Sequence, residues 1–469
     1  MIMPVVLWTD ALIFLLVAIA TGFALYARGK PHLRAPWRHV MSSRMGLAAI
    51  VVLAAYIIIG LLDSLHYRLP LENRDDAAEI HYAVEVLSVL DTLVGPLRTQ
   101  TEKTYSAPFA THLFSRETVH QPDGSQTREY PRLEYGGRHL ENPAADARAD
   151  ILQRSGMALT QALAASLAVL LLITLWQARR RQRAFTTTLH DILTLRTTVP
   201  WLIFWITLGV LLLLFFLAIN LSTVYHVFGT DKVGQDVFYQ TLKSIRTGLI
   251  IGTLTTQVML PFAIFMGILA GYARGWIDDL IQYIYTTLNS IPGVLLIAAA
   301  ILMLQVYMAN HPELFETTLE RADIRLLFLC IILGITSWTG LCRLLRGEAL
   351  KLREAEYIQA ATAFGVRHRK IISRHILPNV MHIVLITVVL DFSGLVLAEA
   401  VLSYVGVGVD PTTNSWGNMI NSARLEMARE PVVWWSLLSA FLFMFTLVLA
   451  ANLFSDAVRD AFDPRLRQR

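Results

Sequence analysis

The chain has 469 residues, of which 55% are hydrophobic and 16% charged, and its mean hydropathy is +0.50. That is more apolar surface than one soluble core of ordinary size buries. It falls in long runs divided by charged stretches, which excludes an ordinary soluble domain and indicates several membrane helices. The pI near 9.0 does not signal nucleic-acid binding, because Lys and Arg sit between the apolar runs and not on one amphipathic face or in an RNA-binding motif.

Taken in order, apolar spans run at 5–26, 45–62, 159–176, 201–221, 248–272, 277–308, 326–344, 378–404 and 432–453. Each suits a bilayer that needs about 20 residues per helix. The first also has a signal-peptide reading, with Ala18 and Ala20 imitating a cleavage site, but nothing basic precedes it and Asp10 interrupts its start, which favours a retained helix. The two cysteines, Cys330 and Cys342, share one span, so no disulfide framework or zinc site is expected.

Orientation comes from the basic flanks. Arg28, Lys30, Arg34, Arg38 and Arg44 follow the first span, Arg179, Arg180, Arg181 and Arg183 follow the third, and Arg465, Arg467 and Arg469 end the chain. These segments belong in the cytoplasm, with the N-terminus outside. The segment 63–156 then lies outside as well. It opens with an expected amphipathic helix in which Ile80, Val84, Leu87, Val94 and Leu97 recur near helical spacing, followed by turn-rich stretches at 121–125 and 135–144. His81, His112, His120 and His139 are scattered without metal-ligand spacing and read as surface histidines.

Residues 347–379 read GEALKLREAEYIQAATAFGVRHRKIISRHILPN. The first half is helical, with an apolar stripe of Leu350, Tyr357, Ile358, Ala361 and Phe364, and Glu354 placed to pair with Lys351. Gly365 ends it in an expected left-handed conformation, and Pro378 suits the first turn of the next helix. Such an exposed, partly apolar helix has two readings: a connector resting on lipid headgroups, or a docking helix for a cytoplasmic partner.

This loop resembles the EAA loop of ATP-binding-cassette (ABC) importer permeases, whose pattern is Glu-Ala-Ala, three residues, Gly, nine residues, then Ile-x-Leu-Pro. Here those positions are Gln359, Ala360, Ala361, Gly365, His375, Leu377 and Pro378. Gln359 replaces the glutamate, and His375 followed by Ile376 replaces the isoleucine. The segments GTDKVGQDVFYQTLKSIRTGL, GYARGWIDD, LAEAVLSYVGVGVDPTTNSWGNMI and RDAFDPR resemble the C-type membrane subunit of dipeptide and oligopeptide permeases, in the right order and from about Trp201 to the end.

The resemblance implies an all-α, polytopic membrane protein of about nine helices: a type I ABC importer permease core preceded by an extension of three helices. The expected divisions are two membrane helices at 1–62, an extracytoplasmic segment at 63–156, a third helix and basic linker at 157–199, and the permease domain at 200–469 with its coupling loop at 345–378. It implies docking of the ATPase through Glu356, Tyr357, Gln359, Ala360, Ala361, Gly365, Leu377 and Pro378. The implied partners are a second homologous permease, two ATP-binding-cassette subunits that bind ATP and Mg, an extracytoplasmic substrate-binding protein and the lipid of a bacterial inner membrane. No GxxxxGK[ST] sequence occurs in the chain, so the hydrolytic enzyme is expected to be a partner, and no cofactor, metal or nucleic acid is expected here.

Asp391 and Glu399 interrupt the eighth apolar span. An acid within the membrane is costly against lipid, so both are candidates for the substrate path, where one would meet a peptide amine. The alternative is a structural hydrogen bond, which suits Glu399 better. Peptides are the expected cargo, with nickel complexes or oligosaccharides as alternatives on the same architecture. An ion-coupled secondary transporter is disfavoured by the lack of an inverted repeat, and a membrane sensor by the lack of a cytoplasmic output domain.

Overall fold

The computed structural model describes residues 3–71, 81–120, 126–315 and 317–462. Ile80, the stretch 121–125, the side chain of His120 and the terminal Arg465, Arg467 and Arg469 lie outside the described residues.

The helices are α1 (Trp8–Arg28), α2 (Pro31–Ser42), α3 (Arg44–Asp63), α4 (Val89–Leu93), α5 (Gly95–Thr99), α6 (Pro143–Arg181), α7 (Phe185–Leu193), α8 (Trp201–Ser222) and α9 (Val237–Ala273). They continue with α10 (Trp276–Ser290), α11 (Gly293–Asn310), α12 (Thr318–Ser337), α13 (Thr339–Arg353), α14 (Glu356–Ala363), α15 (His368–Ile371), α16 (Leu377–Tyr404), α17 (Trp416–Glu426) and α18 (Trp435–Phe462). Strands β1 (Met3–Val5), β2 (His66–Arg68) and β3 (Leu87–Ser88) form one small antiparallel sheet, and β4 (Glu117–His120) pairs with β5 (Gln126–Glu129) in another.

Among the described residues, nine helical stretches are long and apolar enough to cross a membrane. The expected span 277–308 is a correction, because it is two helices. Ile291 is extended (φ −91°, ψ 129°) and Pro292 opens α11. A proline disfavours helical backbone at the residue before it and cannot donate to the ladder, so one helix stops at Ser290 and the next starts at Gly293. Among the described residues, the amphipathic helix expected in the segment 63–156 is also absent. Leu87 pairs in β3, Val84 is 85% exposed, and helix forms only as the two short turns α4 and α5, the first closed by a capping box of Ser88 and Asp91.

The chain divides into two compact units. Unit 1 holds residues 38–247 and 414–454 together with the first few residues. In it α6 and α8 pack closely: Trp205 donates to the Ser166 carbonyl at 2.8 Å, and a Cβ on Gly209 would lie 3.1 Å from Ser166 Oγ. Lys243 on α9 reaches Asp63 at the end of α3 (2.5 Å) and Asp91 on α4 (3.1 Å), joining three elements through one partly buried cation.

Residues 102–109 of unit 1 are knitted onto the loop before α9. Glu102 N–H donates to Gly234 O, Phe109 N–H to His226 O, and Thr230 N–H to Ser106 O, at 2.9–3.1 Å. Gly229 and Gly234 make this approach possible: both have positive φ, and a Cβ on Gly234 would collide with the Glu102 backbone. At the centre, buried His226 stands between Asp236 (2.7 Å) and Glu102 (3.4 Å). Glu102 also accepts N–H bonds from Glu134, Tyr135 and Gly136 at 2.9–3.0 Å. Burial alone would lower the His226 pKa, but Asp236 and Glu102 outweigh it and lift it to about 9. Burial would likewise raise that of Glu102, yet His226 and the three amides bring it down to about 2.

Unit 2 holds residues 7–37, 248–413 and 455–469. Helix α1 is fastened to α12 by buried Thr9, whose hydroxyl and backbone N–H both donate to Asp323. The unit's main apolar core gathers Met259, Ala263, Ile268, Ile281, Tyr285, Leu341, Cys342, Leu345, Ile358, Ile371 and Ile376, drawn from α9, α10 and α13 through α16. Both cysteines are buried and free. The site described next is built on this core.

Candidate coupling site

Helix α13 is pressed against α9 at two glycines. A Cβ on Gly267 would lie 2.8 Å from the Cys342 carbonyl oxygen, and one on Gly271 2.5 Å from that of Arg346. Small residues four apart permit this backbone-to-backbone approach. Arg353 ends α13 and donates to the Tyr272 carbonyl at 2.8 Å, while Tyr272 shares a 2.6 Å hydrogen bond with His368 on α15. Glu354 does not pair with Lys351 as expected. It bonds Arg274, beyond the end of α9, and Lys351 takes Glu348 one turn back.

A two-residue turn at Glu354 and Ala355 separates α13 from α14, so the expected single helix is two. Gln359 donates through Nε2 to the Glu354 carbonyl at 3.2 Å and so braces this turn. Ile358 is 1% exposed and seats α14 in the apolar core, with Ala361 partly buried beside it. Glu356, Gln359, Ala360 and Ala363 face outward, and Phe364 is 87% exposed. The expected apolar stripe is therefore split: Ile358 and Ala361 point inward, Phe364 outward. Tyr357 is half-exposed, its hydroxyl accepting from Asn379 at 3.2 Å.

Gly365 follows α14 with φ +75° and open space around its Cα, the left-handed stop expected of it. The chain returns through α15 and a π-helical turn (Ile372–Ile376) that runs into α16, where Leu377 packs on the core and Pro378 occupies the first turn. A π-turn inside a helix marks an inserted residue and is frequent at functional positions. The eight loop residues from Glu356 to Pro378 thus lie in one continuous helix–stop–return.

The substrate-path candidates differ from each other. Glu399 is buried and accepts from Ser403 one turn along α16 at 2.7 Å. Asp391 is partly buried, and among the described residues no hydrogen bond or ion pair reaches it. Sequence reasoning missed the ties between Tyr272, Arg274, Asp278 and the loop, because these partners are some 70 to 100 positions apart and share no local spacing. The Gly267–Gly271 spacing was the one local signal available. No cluster that would hold a metal is present among the described residues.

Residues 263–468, which contain the whole of this site, match the family described as binding-protein-dependent transport system inner membrane component. The chain is 32% identical over 243 residues to the oligopeptide transport system permease protein OppC of Haemophilus influenzae, covering 52% of this chain and 71% of that one. The chain belongs to this permease family. Two further relatives are the dipeptide transport system permease protein DppC of Bacillus subtilis, 30% identical over 52% of this chain and 70% of that one, and the glutathione transport system permease protein GsiD of Pectobacterium atrosepticum, 32% identical over 52% and 73%. The permease is accordingly a multi-pass inner-membrane subunit of an ABC importer, with an all-α membrane fold.

Proposed function

We propose that this permease imports di- or oligopeptides as one of two homologous membrane subunits, and that α14 is its docking point for a cytoplasmic ATPase. The observation that carries the reading is the two-sidedness of α14. Ile358 anchors it, while Gln359, Ala360, Ala363 and Phe364 are left outward, the alanines giving a partner close approach and Phe364 offering it an aromatic ring to bury. ATP and Mg belong to the two ATPase subunits. ATP binding closes them and displaces α14, and the paired bundles then swing to open the cavity toward a loaded external binding protein.

The peptide assignment rests on relatives named for oligopeptide and dipeptide transport. Asp391 suits it, since a half-buried acid without a fixed partner is a fitting counter-charge for a peptide amine. Nickel complexes or oligosaccharides are separated from peptides by ligand-binding measurements on the cognate binding protein. On this reading the segment 63–156 is extracytoplasmic, and its attachment to the loop before α9 supports keeping the two on one side of the membrane.

The docking assignment is tested with Ala360→Glu and Gly365→Val. The first puts a carboxylate on the outward face, where a close interface would leave it desolvated. The second forces a β-branched residue into a left-handed position and re-aims the helix. Normal membrane amounts with loss of co-purifying ATPase and of uptake are expected of both. Stoichiometric ATPase and full uptake in both would end the docking reading.

A further inference from the structure

Helix α10 lies antiparallel along α13, held at both ends and in the middle. Arg346 grips Asp278 through two parallel hydrogen bonds, Nε to Oδ1 at 2.6 Å and Nη2 to Oδ2 at 2.7 Å. Farther on, the Arg343 guanidinium stands 5.3 Å from the centre of the Tyr285 ring. At the far end Thr339 Oγ1 donates to Asn289 Oδ1 at 3.1 Å. Position rises along α10 as it falls along α13, so the contacts form one seam, closed beneath by Ile281, Tyr285, Leu341, Cys342 and Leu345 in the common core.

The two ends of this seam meet different things. At one end α10 turns from α9 through Arg274 and Gly275, both with positive φ, a tight corner braced to the loop by Arg274–Glu354. At the other end Ile291 and Pro292 break the helix before α11. A break of this kind interrupts the backbone ladder and lets two helices change their angle at little cost, whereas a packed, ion-paired seam resists bending. Displacing α14 therefore displaces α13 and α10 together, and α11 turns at the break.

We propose that Asp278 and Arg346 are a positioning pair that makes α10 part of the coupling element, so that the ATPase stroke on α14 reaches α11 through α10. The proposal rests on the reading of α14 as the docking helix. The pair suits the role because an Arg–carboxylate fork fixes orientation as well as distance, which a single lysine contact does not. Its carboxylate is nearly buried and the guanidinium about a quarter exposed, so water replaces neither partner freely.

The test uses the assembled importer in liposomes, with its binding protein and a mixture of labelled di- to pentapeptides. Arg346→Lys keeps the charge and removes the fork, Asp278→Asn removes the charge, and the exchange Asp278→Arg with Arg346→Asp restores a pair. Both single variants are expected to retain ATPase subunits and basal hydrolysis, while ATP consumed per peptide moved rises about 5-fold or more, the usual lower bound of an allosteric coupling. The exchange is expected to recover much of the ratio. An unchanged ratio in both single variants overturns the proposal, as does loss of membrane protein or of bound ATPase in Arg346→Lys, which would make the pair merely structural. Failure of the docking reading is seen separately, as ATPase retained by Ala360→Glu.

Discussion

The Cα of Gly271 faces the carbonyl oxygen of Arg346 so closely that a Cβ would stand 2.5 Å from it, and 2.7 Å from Ala349 Cβ. Alanine ordinarily favours a helix over glycine by about 1 kcal/mol. Here it must push α13 off α9, and overpacking of this kind costs about 1–3 kcal/mol. Gly271→Ala is expected to lower the melting temperature of the detergent-solubilised permease. Gly347→Ala, on α13 with nothing within 4 Å of its Cβ, is expected to hold or raise it. Equal melting of Gly271→Ala and parent would show that the two helices are free to separate.

The His226 cluster predicts how attachment of Glu102 and its neighbours to the loop before α9 depends on pH. His226 rises from 6.5 to about 9 on folding, so its stabilisation is complete below about 6.5 and disappears as pH rises through 9. Glu102 falls from 4.5 to about 2, so its share is complete above about 4.5 and disappears as pH falls through 2. Protease resistance of residues 100–140 in the purified permease is expected to be greatest between pH 5 and 6.5 and to decline by pH 10. In His226→Gln the decline between pH 7 and 10 should vanish. An identical decline in that variant would assign the alkaline sensitivity to other groups.

Several features were legible because one residue type decides them locally. Gly365 announces a left-handed stop and Pro378 a first turn, and both occupy those places. Hydropathy likewise locates the spans, since a bilayer demands length and apolarity and little else. It did not locate the break at Ile291 and Pro292, because α10 carries Ile277, Leu280, Ile281, Ile284 and Leu288 among its polar residues and so reads as the start of the apolar run that α11 continues. The helix expected from Ile80 to Leu97 failed because periodic apolar residues also suit a short strand and two turns, and pairing of β3 with β2 won. The stripe on α14 was read as one face because Ile358 and Phe364 both suit an apolar surface. Which of them meets the bundle depends on the turn at Glu354 and Ala355, and that turn is held by Arg274, a residue 80 positions away.

Outward placement of the segment 63–156 is open to labelling. Arg128 and Glu129 are exposed on β5, whereas Ser106 is buried under the loop before α9. In a background with Cys330 and Cys342 replaced by alanine, Arg128→Cys and Glu129→Cys are expected to react with an impermeant maleimide in intact spheroplasts. Ser106→Cys should react slowly until the protein is denatured. Labelling of Arg128→Cys only after lysis would reverse the orientation of the first three spans.

Ile358 and Phe364 stand at opposite ends of α14, and they separate folding from docking. Ile358 is 1% exposed within the core. Truncating a fully buried isoleucine to alanine costs about 2–5 kcal/mol through lost burial and the cavity left behind. Ile358→Ala should therefore lower thermal stability and membrane amounts, while the fraction that folds binds ATPase nearly as the parent does. Phe364 is 87% exposed and contributes little to the folded subunit. A partner that covers it gains the burial of a whole aromatic ring, and aromatic residues of this kind commonly dominate an interface. Phe364→Ala should leave melting unchanged and weaken ATPase binding by about 10-fold or more, equivalent to at least 1.4 kcal/mol. Titration of purified permease with ATPase subunits, beside melting curves of both variants, reads the two effects independently. If Phe364→Ala binds as tightly as the parent, the outward end of α14 is not where the ATPase sits.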